Sequence, residues 1–191
     1  MTKIIVATSL LTFAWLLQIH LVFPLEQALR PDNSNVGAFS FVFLPHGAKV
    51  LIIMFLMARG LPVILGVSFV AGLMFGFDPT YAFLGAVLAA ITAIMPMWLF
   101  NFVTKKPINF RVFHYDSGNL NLFRTSMILV LAVAFVNSAF QAALAKAMLD
   151  ITPDPQLTIG FLTGDIIGGF VCILGAITCL RLFIHRGFDA I

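Results

Sequence analysis

The chain alternates between long apolar runs and short polar breaks, and the runs are similar in length. Crossing a hydrocarbon core as a helix takes roughly 20 apolar residues. Six stretches qualify, at about 4–23, 38–58, 61–77, 81–103, 125–148 and 158–180. Turn chemistry separates most of them: Pro31 to Gly37 follows the first, Arg59-Gly60 the second and Asp78-Pro79 the third. The longest break runs from Thr104 to Arg124, and Asp150 to Gln156, with Pro153 and Pro155, divides the last two runs. The pattern predicts an all-α integral membrane bundle of six transmembrane helices, with residues 1–191 forming one domain.

Composition agrees with this reading. Apolar residues make up 61% of the chain and charged residues 10%, against about half and a quarter in soluble domains. The 191 residues leave no room for a separate soluble domain beside six spans. The net charge of +3 then reflects loop charges and orientation, not nucleic-acid binding. Lys3, Arg59, the group Lys105, Lys106, Arg111 and Arg124, and Arg181 with Arg186 fall on one side of the predicted bundle. Glu26, Arg30, Asp32, Asp78, Asp150 and Asp154 fall on the other. Positive charge gathers on the cytoplasmic side of membrane proteins, so both termini are expected there, in a bacterial cytoplasmic (inner) membrane. The first apolar run is longer than a signal-peptide core and is followed by no clear A-x-A site, which predicts an uncleaved helix. The loop FRVFHYDSGNLNLF mixes aromatic and polar residues, as an interfacial segment or a plain connector does.

Several polar residues fall inside the runs. His46 lies about eight residues below the outer surface in the second span, and Lys49 one turn deeper. Asp165 lies about seven residues into the sixth span; Gln141 and Asn137 lie near the outward end of the fifth, four apart and on one helical face. Three helices thus place these groups at one depth. An isolated charge at the bilayer centre costs roughly 2.5–3.5 kcal/mol, so Lys49 and Asp165 are expected to face each other. Asn137 and Gln141 would complete a hydrogen-bond network. Two roles are open: a structural pin between helices, or a ligand-binding or switching layer comprising His46, Lys49, Asn137, Gln141 and Asp165. Pro45 removes a backbone donor and Gly47 permits close approach, together predicting a bent or partly unwound segment facing protein or water.

Other positions concern packing. G-x-x-x-G spacing occurs at Gly72/Gly76 and Gly164/Gly168, where small residues let helices touch. Pro62 fits the first turn of a helix, and Pro96 is expected to kink the fourth span. Cys172 and Cys179 are seven apart in one helix and too distant for a disulfide. No Cys/His cluster has metal spacing, and nothing points to a cofactor. Phosphate loop, nucleophile elbow, HExxH and paired intramembrane carboxylates are all missing, so no enzymatic activity is expected.

LPHGAKVLIIMFLMARGLPVILG contains a P-x-G segment, an apolar run and a short loop before P-x-x-x-G, carried by Pro45, Gly47, Pro62 and Gly66. TGDIIGGFVCILGAI contains G-D-x-x-G at Gly164, Asp165 and Gly168. Both resemble bacterial membrane-associated sensor (MASE-type) domains, multi-helix domains usually fused to histidine kinases or cyclic-dinucleotide enzymes. The resemblance covers about a quarter of the chain. It implies a sensory bundle with Asp165 at its site. With no output domain after Arg186, it further implies signalling through a partner protein. The same size and span number also resemble the vitamin-binding subunits of energy-coupling-factor transporters, where a buried lysine would hold an anionic substrate. Against that, no docking motif of small residues and no inverted repeat is visible. An accessory subunit of a larger membrane complex is the third expectation.

Overall fold

The computed structural model describes residues 2–29, 40–104, 119–149 and 155–185, and all regular structure among them is helical. The breaks at 30–39, 105–118 and 150–154 lie outside the described residues, with Lys105, Lys106, Arg111 and the interfacial loop around them. Five stretches are long and apolar enough to cross a membrane: Thr2–Leu29, Leu44–Met74, Pro79–Leu99, Ser126–Met148 and Thr158–Ala176. Their outward faces carry large apolar side chains such as Phe13, Val70, Trp98, Phe135 and Ile159, as a lipid-facing surface requires.

The first stretch comprises α1 (Thr2–Leu17), a π-helical turn (Gln18–Val22) and α2 (Phe23–Leu29). Within the turn the Phe23 amide donates to the Gln18 carbonyl, five residues back. The cause is one residue further on. Pro24 has no amide proton to offer His20, and its ring would crowd the His20 carbonyl in a regular helix. The wider turn relieves both problems.

The second stretch is not one straight rod. It holds α3 (Leu44–Leu56), a 3₁₀ turn (Met57–Gly60) and α4 (Leu61–Met74). A straight 31-residue helix would hold its ends roughly 46 Å apart. Here Trp15 makes edge-on contacts with both Phe43, just before α3, and Phe75, just after α4, at centroid distances of 5.4 and 5.5 Å. The chain therefore doubles back at Met57–Gly60, and α1 packs against both limbs. Met57 makes the reversal with a positive φ of 54°. Gly60 sits so close to the preceding turn that a Cβ there would come within 2.6 Å of Ile52 Cγ2. Pro62 starts α4 in the first-turn position expected for it.

The remaining helices are α5 (Pro79–Thr104), α6 (Asn119–Leu149) and α7 (Pro155–His185). Pro96 is accommodated inside α5, whose helical run continues past it. Neighbouring pairs α1–α4, α4–α5, α5–α6 and α6–α7 surround α3, which packs against α1, α5, α6 and α7. Every residue of α3 from Pro45 to Met54 is buried. Enclosed on all sides over this stretch, α3 is the core of the bundle, not part of its wall.

The expected break near Pro45 falls earlier than the sequence pattern places it. Residues 40–43 are non-helical, and Pro45 occupies the first turn of α3, where a missing amide proton costs nothing. The expected closeness at Gly47 is present: a Cβ there would lie 2.5 Å from Cys172 Cβ and 2.7 Å from the Gly168 carbonyl oxygen.

Candidate functional site

Residues 40–43 form a strap held from two sides. The α7 side supplies a surface of bare backbone: a Cβ on Gly164 would collide with the Ser40 carbonyl, and one on Gly168 with that of Phe43. With no side chains between them, the Phe43 amide donates to the Gly164 carbonyl at 2.9 Å. The α1–α2 side supplies side chains. Glu26 Oε1 accepts the Phe41 amide at 2.8 Å, the Val42 amide at 3.1 Å and the Ser40 hydroxyl at 2.9 Å. Gln18, in the π turn, donates to Ser40 Oγ at 2.9 Å and accepts the Leu44 amide at 3.0 Å. The turn that absorbs Pro24 thus positions Gln18 to cap the first amide of α3. All three side chains are buried, and each resolves a polar group that lipid would leave unsatisfied.

Behind the strap, a second polar chain joins four helices. The Thr92 hydroxyl on α5 donates to Asn137 Oδ1 on α6 at 3.1 Å. The Asn137 amide donates to Asp165 Oδ2 on α7 at 2.7 Å, and His46 Nδ1 on α3 lies 3.2 Å from the same oxygen. His46 is 0% exposed. Its Nδ1 stands at ion-pair distance from the carboxylate but off the line of a hydrogen bond, and its Nε2 has no hydrogen-bond partner.

Lys49 does not take the place expected for it. Among the described residues the basic side chain within 4 Å of the Asp165 carboxylate is His46, one helical turn nearer the strap. Lys49, 4% exposed, instead sets its ammonium over the Phe43 ring, 5.6 Å from the centroid. Asp165 still acts on it by longer-range Coulomb attraction.

These groups border a cavity of about 180 Å³ at the strap end of the bundle. Its wall is largely apolar, with the aromatic rings of Trp15, Phe43, Phe75, Tyr81 and Phe161 among its residues. The rings interlock edge to face: Phe75 meets Phe23 at 5.4 Å, and Phe77 meets Tyr81 at 4.9 Å. Lys49, Asn137, Gln141 and Asp165 bring polar atoms to the same wall. Four of the five anticipated site residues therefore line one space, with His46 directly behind Asp165. Gly47 packs on Gly168 and Gly169 in a glycine seam between α3 and α7, Gly164 and Gly168 carry the strap, and Pro45 opens α3.

Sequence reasoning missed Gln18, Glu26, Ser40 and Thr92. Glu26 reads as an outer-surface charge, and no local pattern reveals that its carboxylate turns inward to the strap. One signal was available: Gln18 precedes an in-span proline by six residues, where a distorted helix can expose a polar side chain to the interior. Comparison with family models, curated proteins and solved structures returned no match to this chain.

Proposed function

We propose that the chain is a multi-pass sensory or regulatory membrane module, which binds a small ligand in the cavity beside Lys49 and Asp165 and signals through a protein partner. One observation carries this reading: Lys49, Asn137, Gln141 and Asp165, from three helices, converge on a single aromatic-walled space. Compact, mostly apolar cavities with a few convergent polar groups are the usual form of small-molecule sites. A purely structural pin between helices would need the polar contacts but not the space beside them.

The proposed topology has six crossings with both termini cytoplasmic, the limbs of the α3–α4 hairpin counting separately. In this arrangement the cavity lies in the outer half of the bilayer. Ligand contact with Phe43 or Lys49 would bias the position of α3 against α7. Transmission requires two packings of different ligand affinity, and the glycine seam is where such a shift would occur. The partner would be an output kinase or cyclase, as the sensor resemblance implies.

A transport or substrate-binding subunit is the second reading, favoured by His46 and Asp165: a buried histidine–carboxylate pair beside a binding space can carry a proton with its substrate. An accessory role in a larger complex would leave the cavity without a ligand.

The test is thermal stability of the purified chain against a panel of small molecules and pH, with wild type, Asp165→Asn and Lys49→Met in parallel. Stabilisation of wild type by mass action, reduced in both variants, supports binding at this layer. A panel that shifts none of them would refute it. Uptake of the stabilising compound into proteoliposomes would favour transport over sensing.

A further inference from the structure

We infer that the cavity takes a compact aromatic carboxylate, with its ring among the wall aromatics and its acid group at Lys49. This rests on the binding reading above and specifies its ligand class.

Charge decides the sign of the ligand. Asp165 already has close partners, since its Oδ2 accepts the Asn137 amide and lies 3.2 Å from His46 Nδ1. Lys49 has no partner so near, and Asp165 acts on it only at longer range. Among the described residues no carboxylate stands at ion-pair distance from it, and the Phe43 ring is its near neighbour. A ring face is a weak substitute for an anion, and a buried unpaired cation is costly. The unmet electrostatic demand of the cavity is therefore for negative charge. Donors without partners add to it: Trp15 Nε1 and Ser68 Oγ belong to wall residues and are buried without a hydrogen bond. Gln141 supplies an amide on the α6 side of the same wall.

Size and wall chemistry decide the rest. An apolar cavity of about 150 Å³ accepts benzene, so about 180 Å³ suits one ring with a short acid-bearing arm. The wall presents ring edges and faces at the spacings that aromatic pairs prefer. Phe77, partly exposed, marks the rim. A hydrophilic anion such as phosphate would leave these rings against its oxygens, and an organic cation would meet Lys49.

Phenylacetate, phenylacetamide and 2-phenylethylamine share a shape and differ in charge. They can be titrated into the detergent-purified full chain carrying Trp98→Phe, which removes one of its two tryptophans and leaves Trp15 as a fluorophore in the wall. Phenylacetate is expected to bind at least about tenfold more tightly than phenylacetamide, with 2-phenylethylamine weakest. Lys49→Met should abolish the preference for the acid. Gly85→Leu should block all three, because Gly85 lines the cavity and a Cβ there meets only Leu144 Cδ2, at 3.9 Å. Equal or tighter binding of the amide or the amine would overturn the carboxylate class while leaving the cavity as a binding site. Failure of all three to bind wild type at about 10 mM, or undiminished binding to Gly85→Leu, would overturn the cavity reading itself. If Lys49→Met does not fold, the order of the three probes on the Lys49-containing protein still decides the class.

Discussion

Asn137 on α6 donates its amide to the Asp165 carboxylate on α7 across 2.7 Å, in a part of the bundle where both side chains are almost wholly buried. Removing the carboxylate strands the buried Asn137 amide and takes away the acidic group that stands 3.2 Å from His46 Nδ1. Asp165→Ala is therefore expected to destabilise the protein by about 3 kcal/mol. Asp165→Asn should cost less, because its amide oxygen can still accept from Asn137. In a double-mutant cycle, Asn137→Ala and Asp165→Ala should show a coupling of about 1–2 kcal/mol. Strict additivity in reversible unfolding would mean that this contact contributes nothing.

Glycines of the α7 seam should behave oppositely to glycines elsewhere on the helix. Gly168→Ala forces a methyl against the Phe43 carbonyl, displacing a backbone segment, and is expected to cost 2 kcal/mol or more, roughly. At Gly175 a Cβ meets nothing within 4 Å. Gly175→Ala should be stabilising by about 0.5–1 kcal/mol through helix propensity. Melting temperatures of the two variants in one detergent would check the pair, and similar shifts would contradict the seam.

Glu26→Ala leaves the amides of Phe41 and Val42 without their acceptor. These are charge-assisted bonds in a buried setting, so a loss of about 2–3 kcal/mol is expected. The loss should be local. Limited proteolysis around residues 40–43 should accelerate more than cleavage between α4 and α5, and uniform acceleration would indicate global unfolding instead.

Asp78 lies between the apolar stretches and caps α5, accepting the Thr80 amide at 2.8 Å. That backbone bond, with help from the Thr80 hydroxyl, holds its pKa below the ordinary 3.8. The folded state therefore favours the ionised form. Its contribution is complete above the unfolded pKa and is lost as pH falls through the depressed folded one. Stability should consequently be insensitive to pH near neutrality, where the Asp78 contribution is complete, and fall more shallowly below about pH 4 in Asp78→Asn than in wild type. Because the side chain is fully exposed, the effect should be small and weaken in salt. Parallel acid melts that stay superimposed would refute it.

The apolar pattern made the helical stretches legible, because lipid forces each backbone donor and acceptor to be met within a helix. Asn137, Gln141 and Asp165 were placed together by counting depth alone, and the glycine seam by spacing. Which basic side chain stands beside Asp165 was not readable. His46 and Lys49 lie three apart on one face, and the choice between them rests on helix register and on the Phe43 ring drawing the lysine aside. Thr92 in α5 looks like any small residue in a span, where hydroxyls commonly bond their own helix, so its bond across to Asn137 leaves no sequence trace. The strap was hidden for a related reason: its anchors, Gln18 and Glu26, are brought to it by a π turn, whose register shift no regular periodicity encodes.

By composition α3 is a segment that oil dissolves, yet in the finished bundle it meets almost none. Moving such a helix from lipid tails to a protein interior exchanges one apolar surrounding for another and yields little hydrophobic gain. What keeps it central must then come from contacts that lipid cannot imitate: backbone touching backbone at Gly47 and Gly168, and the polar chain through His46. Assembly of this bundle accordingly depends on a few atoms on one flank of α3, and the greasy remainder of that helix is close to indifferent to where it lies.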